Sequence, residues 1–142
     1  MSSTSATDAP SGDESRRSDV DLRLPADGAY ASVLRTTTAG LAARLDFPID
    51  DIEDLRIAVG EASAMVLPES VPGGDLRCEF FLAPGRLTIS VAVDVDHEVV
   101  ADLDSFAWQV LTTLAGRATA DCTAGVFAVT LTMVSSLAET GS

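Results

Sequence analysis

Val20, Leu22 and Leu24 alternate with Asp21 and Arg23, the two-residue period of a half-buried strand, and Pro25 ends the run. Asp27 then stands where an N-cap belongs. Behind it Tyr30, Val33, Leu34, Thr37, Leu41 and Leu45 follow a 3.6-residue period, which predicts a helix to about Leu45. Asp50 with Glu53 three residues later reads as a capping-box start for a second helix, with Ile52, Leu55, Val59, Ala62 and Val66 on one stripe and Pro68 as its stop. The period then returns to two. Leu76, Cys78, Phe80 and Leu82, a turn at Ala83-Pro84-Gly85, and Leu87, Ile89, Val91 and Val93 predict an antiparallel hairpin. Asp104 can cap a third helix carrying Phe106, Val110, Leu111 and Leu114, with Gly116 at its end, and Phe127, Val129, Leu131 and Met133 mark a last strand.

Strands that come as a hairpin plus separated partners, with amphipathic helices between them, predict an α/β fold: a two-layer sandwich whose mixed, mostly antiparallel sheet is covered on one face by helices. Residues 1–18 contain no Val, Ile, Leu or aromatic side chain and are expected to form a disordered tail. Residues 19–135 then make one domain and 136–142 a C-terminal tail.

Composition narrows the function classes. Nine basic against twenty-two acidic residues give a formal charge of -13, which repels a phosphate backbone and an anionic membrane surface. Direct nucleic-acid and membrane binding are thereby disfavoured, and a basic protein partner is favoured. Hydrophobic residues reach 46% but aromatic ones only 5%, so the core must be aliphatic. With two cysteines, no basic-then-apolar leader and no apolar run long enough to span a bilayer, the expectation is a reduced, cytoplasmic protein.

Few residues suggest chemistry on their own. His97 is the single histidine and has no neighbouring Cys or His to share a metal, so it reads as a loop residue. Cys78 falls on the inward register of its strand, whereas Cys122 reads as part of a loop. Trp108 lies off the best apolar stripe of its helix; it either closes the rim of the core or anchors something else. Glu61 and Met65, at i and i+4, share the flank of the second helix.

LRTTTAGLAARL at 34–45 and IEDLRIAVGEA at 52–62 resemble the first two helices of the RsbW and SpoIIAB family of anti-sigma factors and serine-protein kinases. The likeness continues more weakly through the hairpin, SFAWQVLTTLA at 105–115 and GVFAVTLT at 125–132. It implies the histidine-kinase-like ATPase fold. It also implies a Glu-x-x-x-Asn box in which Glu acts as general base and Asn holds magnesium. Glu61 matches the first position, Met65 stands at the second, and Pro68 stands where a His often follows. A thioether cannot serve a hard cation that wants oxygen ligands. The family's Asp-x-Gly-x-Gly box, whose Asp reads adenine, aligns with Asp94 and Asp96 in a stretch without glycine, and its phosphate-cradling Gly-x-Gly aligns with Ser105 and Ala107. The resemblance is to a degenerate member, expected to need no cofactor; ATP and magnesium would enter only if the site were retained.

By that resemblance the chain sequesters an alternative sigma factor in the stress-response manner of the family. Release would come from an anti-anti-sigma protein of STAS type. The alternative is an active ATP-dependent serine/threonine kinase that phosphorylates that antagonist. Arg35 matches an arginine that relatives place at the partner interface, and relatives form homodimers.

Overall fold

A computed structural model describes residues 16–137. The predicted tails therefore fall largely outside the described residues, at 1–15 and 138–142. Arg16, grouped with the N-terminal tail in the sequence reading, donates to the Leu82 carbonyl at 2.8 Å, pairs with Asp19 and lies over the Phe81 ring.

Five strands form one sheet in the order β1-β2-β3-β5-β4: β1 Val20–Pro25, β2 Asp75–Ala83, β3 Arg86–Asp94, β4 Arg117–Thr123 and β5 Val126–Val134. Three α-helices, α1 Ala31–Arg44, α2 Ile49–Val66 and α3 Phe106–Leu114, make the second layer. The predicted two-layer sandwich is the observed one, but every neighbouring pair of strands is antiparallel, so the sheet is not mixed. Connectivity explains why. Two helices between β1 and β2 return the chain reversed, and β5 folds back between β3 and β4, so those two never pair.

β4 was not expected, and Cys122 lies on it instead of in a loop. Its inward side chains, Ala118, Ala120 and Cys122, are small and only partly buried, so its alternation carried little hydrophobic contrast. The β4–β5 turn places both Ala124 (φ 55) and Gly125 (φ 77) in the left-handed region, the geometry that matches hairpin twist.

Helix boundaries shifted for local reasons. Asp27 does cap, accepting from Ala29 N at 2.9 Å, but it starts a 3-10 turn at Gly28–Tyr30 that leads into α1. Pro48, not Asp50, is the N-cap of α2, and Asp50 and Asp51 fall in the first turn, where the helix dipole favours negative charge. α3 is capped by Ser105, not Asp104. On α1 the buried row is Leu34, Thr38 and Ala42 in place of one through Thr37, while Tyr30 and Val33 are exposed. Thr38 tolerates burial because its hydroxyl donates to the Leu34 carbonyl at 2.8 Å.

The core lies between the layers. Leu55, Ala58, Val59, Ala62 and Val66 of α2 meet Leu87, Ile89, Val91 and Val93 of β3 and Phe127, Val129 and Leu131 of β5. Cys78 is buried among them, and desolvation pushes its thiol up to about 12, so it packs and does not react. The opposite sheet face carries Thr88 bonded to Thr132 at 3.0 Å, with no helix over it. No helix among the described residues is long and apolar enough to cross a membrane.

His97 closes the loop after β3. Its Nδ1 meets Asp96 at 2.8 Å and its Nε2 meets Glu69, just beyond α2, at 3.2 Å. The ring is more than half exposed, so solvent screens both contacts. The hydrogen bond to Asp96 first, then that to Glu69, holds the His97 pKa above its ordinary value, and the bond from His97 lowers that of Asp96.

Two predictions follow from local geometry. Ala124→Asn should stabilise the chain by roughly 0.5–1 kcal/mol, since Asn tolerates the left-handed region better than Ala; an unchanged or lower midpoint in urea unfolding contradicts this. Because the folded pKa of His97 is raised, its contribution to stability is complete below the unfolded value and disappears as pH rises through the folded one. NMR titration of this one histidine should give a higher midpoint in the folded than in the urea-unfolded chain, reduced more by Asp96→Asn than by Glu69→Gln. Equal midpoints in the two states would sink the idea.

Candidate functional site

α2 presents different rows to its two neighbours. Its central row enters the core, and Gly60 faces α1, where the Arg35 side chain lies so close that a Cβ on Gly60 would sit 3.5 Å from Nη1. Ile57, Glu61 and Met65, spaced by four, run along the α3 side. Ile57 opens with Phe106, Val110 and Leu114 into a shallow groove, while Met65 packs partly buried against the core. Glu61 is half-buried and forms no ion pair among the described residues. Arg35 and Glu61 thus lie on opposite flanks of α2 and do not share one site.

Asp94 is directed elsewhere. Strand parity sends its carboxylate to the uncovered face of the sheet, where Arg77 holds it at 3.1 Å. Its backbone carbonyl accepts from Val71 N at 2.9 Å. Asp96 points away from the core as well and is engaged by His97. Neither carboxylate faces Glu61.

Ser105 and Ala107 sit at the start of α3. The Ser105 hydroxyl accepts from Trp108 N at 3.1 Å, so the amide a phosphate would seek already has its partner inside the helix. Phe106, between them, is 77% exposed. At these positions Met65 packs as a thioether against the core, Asp94 is paired with Arg77 on the uncovered face of the sheet, and Ser105 caps its own helix. Among the described residues, no group of three or more His, Cys, Asp or Glu could hold a metal ion.

The predicted stripe of Phe106, Val110, Leu111 and Leu114 divides in the structure: Leu111 is buried and Leu114 packs partly against the core, while Phe106 and Val110 open to the groove. α3 carries two apolar rows, Phe106-Val110-Leu114 and Trp108-Leu111-Ala115, and the core took the second. Leu111 is fully buried and Trp108 partly buried against the core, so Trp108 is a rim residue of the core face. The first row lines the groove. A second stripe on one short helix was the available signal for it.

No family model matches the chain. The serine-protein kinases RsbW of Bacillus thuringiensis (strain Al Hakam), Bacillus cereus (strain AH820) and Bacillus anthracis are each 36% identical over 75 residues, covering 51% of this chain and 47% of each relative. The matched region thus spans about half the length of those curated relatives. A crystal structure of the RsbU and RsbW domains of a Mycobacterium tuberculosis protein superposes with a TM-score of 0.63 at 20% identity, over 82% of this chain and 32% of that one, a likeness of fold. The chain is thus similar in sequence, over about half its length, to RsbW serine-protein kinases, and similar in fold to a structure that contains an RsbW domain.

Proposed function

We propose that this chain is a cytoplasmic anti-sigma factor that sequesters an alternative sigma factor by stoichiometric binding, without ATP chemistry of its own. Similarity to the RsbW kinases supports the partner class. The observation that carries the loss of chemistry is the Arg77–Asp94 pair, at 3.1 Å on the face of the sheet that the helices do not cover. To read a base between sheet and helices, Asp94 would have to leave that pair and reverse the parity of β3. Met65 and the self-capped Ser105 weaken the case for phosphoryl transfer further, because that reaction depends almost wholly on positioning and charge stabilisation.

Arg35 is the residue we assign to the sigma-factor interface. Its stem lies across the α1–α2 seam at Gly60, which limits the freedom of the guanidinium before a partner arrives and lowers the entropy lost on binding. The chain as a whole is strongly acidic, which steers a basic partner and leaves Arg35 to recognise one acceptor group. Release then falls to an anti-anti-sigma protein of STAS type that competes for an overlapping surface and is controlled by its own state or by another kinase. A homodimer is the assembly we expect.

One observation favours the other reading, an active serine kinase. Glu61 is half-buried without an ion pair among the described residues, as a general base would be. The readings part in two measurements. Calorimetry should detect no binding of magnesium-ATP at micromolar concentrations, and a purified antagonist should stay unphosphorylated. Micromolar binding, with transfer that Glu61→Ala abolishes, would establish the kinase instead. For the sigma factor recovered with the chain from its native host, Arg35→Glu should weaken binding at least tenfold, about 1.4 kcal/mol, with the unfolding midpoint little changed. Full affinity in that variant would remove Arg35 from the interface.

A further inference from the structure

The groove between α2 and α3 takes no part in the contacts of Arg35 or Asp94. Phe106 is 77% and Ile57 48% exposed, and with Val110 and Leu114 they line a trough of about 410 Å³. Apolar side chains scattered over a surface need no explanation, whereas a contiguous trough fed by two helices does. The polar residues on its rim do not reach into it for partners: Thr113 donates to the Gln109 carbonyl at 2.7 Å, and Gln109 to that of Asp104 at 3.3 Å. What the trough offers is apolar area.

Four carboxylates flank its lining residues along the chain. Asp54 and Glu61 lie three residues before and four after Ile57 on the same row of α2, and Asp102 and Asp104 precede α3. None of these four carboxylates forms an ion pair among the described residues. α3 itself carries no charged residue, and Arg56, on another face of α2, is within ion-pair reach of Glu53.

We propose that this groove docks an amphipathic helix of a protein partner, one with apolar residues at i and i+4 seated on Ile57, Phe106 and Val110 and with Lys or Arg beside them facing Asp54 and Glu61. Charge complementarity selects that occupant. A second copy of the chain, also at -13, would set like charges against each other around the trough. Residues 1–15 and 138–142 contain no Val, Leu, Ile or aromatic residue to seat in it. The site does not depend on the sigma-factor reading, since Arg35 lies on the other flank of α2.

The test uses the full chain and two synthetic peptides, an amphipathic Leu/Lys helix and the same sequence with Glu for Lys. Binding is followed by fluorescence of Trp108, the one tryptophan, and mapped by amide NMR shifts. The Leu/Lys peptide should bind, with shifts centred on Ile57 and residues 106–114. Phe106→Ser and, separately, Asp54→Lys should each weaken it at least tenfold, and the Leu/Glu peptide should bind at least tenfold more weakly. Phe106 is so exposed that its replacement should leave the fold intact, and the map on the unmodified chain stands even if it does not. Equal binding of both peptides, shifts centred elsewhere, or a dimer in sedimentation that Phe106→Ser dissolves would each overturn the proposal.

Discussion

Burial of the α2 stripe between β3 and β5 is the constraint from which the rest of the arrangement follows. Leu55, Ala58, Val59, Ala62 and Val66 are all fully inaccessible, and each large aliphatic side chain so buried contributes about 1.5–3 kcal/mol. Ala58 and Ala62 are small enough to bring the helix axis close to the sheet. No cap or surface ion pair among the described residues competes with that sum. The rotation of α2 is therefore set by its core row, and the positions of Gly60, Glu61 and Met65 are consequences.

From that rotation come the two flanks. One flank receives Arg35 over Gly60, at ordinary van der Waals distance. The other faces α3, a short helix that has two apolar rows and can bury only one. Leu111, Trp108 and Ala115 win because they reach the existing core, and Phe106 with Val110 is left beside Ile57. The groove is thus a by-product of packing that costs apolar exposure, which is the physical reason to ask what covers it.

Strand parity does the equivalent work on the sheet. Once Leu87, Ile89, Val91 and Val93 face the helices, Asp94 has to face away, and β2 supplies Arg77 at the cross-strand position next to it. A carboxylate committed in this way is unavailable to the layer that holds Glu61.

The sequence by itself determined the two-layer architecture, the hairpin, the core rows of α2, β3 and β5 and the parity that turns Asp94 outward. Each of these depends on a local period or a side-chain type, and neither needs a partner to be read. Only the tertiary structure decided the rest. β4 escaped notice because Ala118, Ala120 and Cys122 offer little contrast, and it forms because β5 gives it a complete ladder. Which of α3's two stripes would be core, how Arg35 crosses α2, and which carboxylates His97 joins depend on residues distant in sequence coming together. Periodicity shows that a helix has an apolar row; only the competition for limited core volume shows which row is buried.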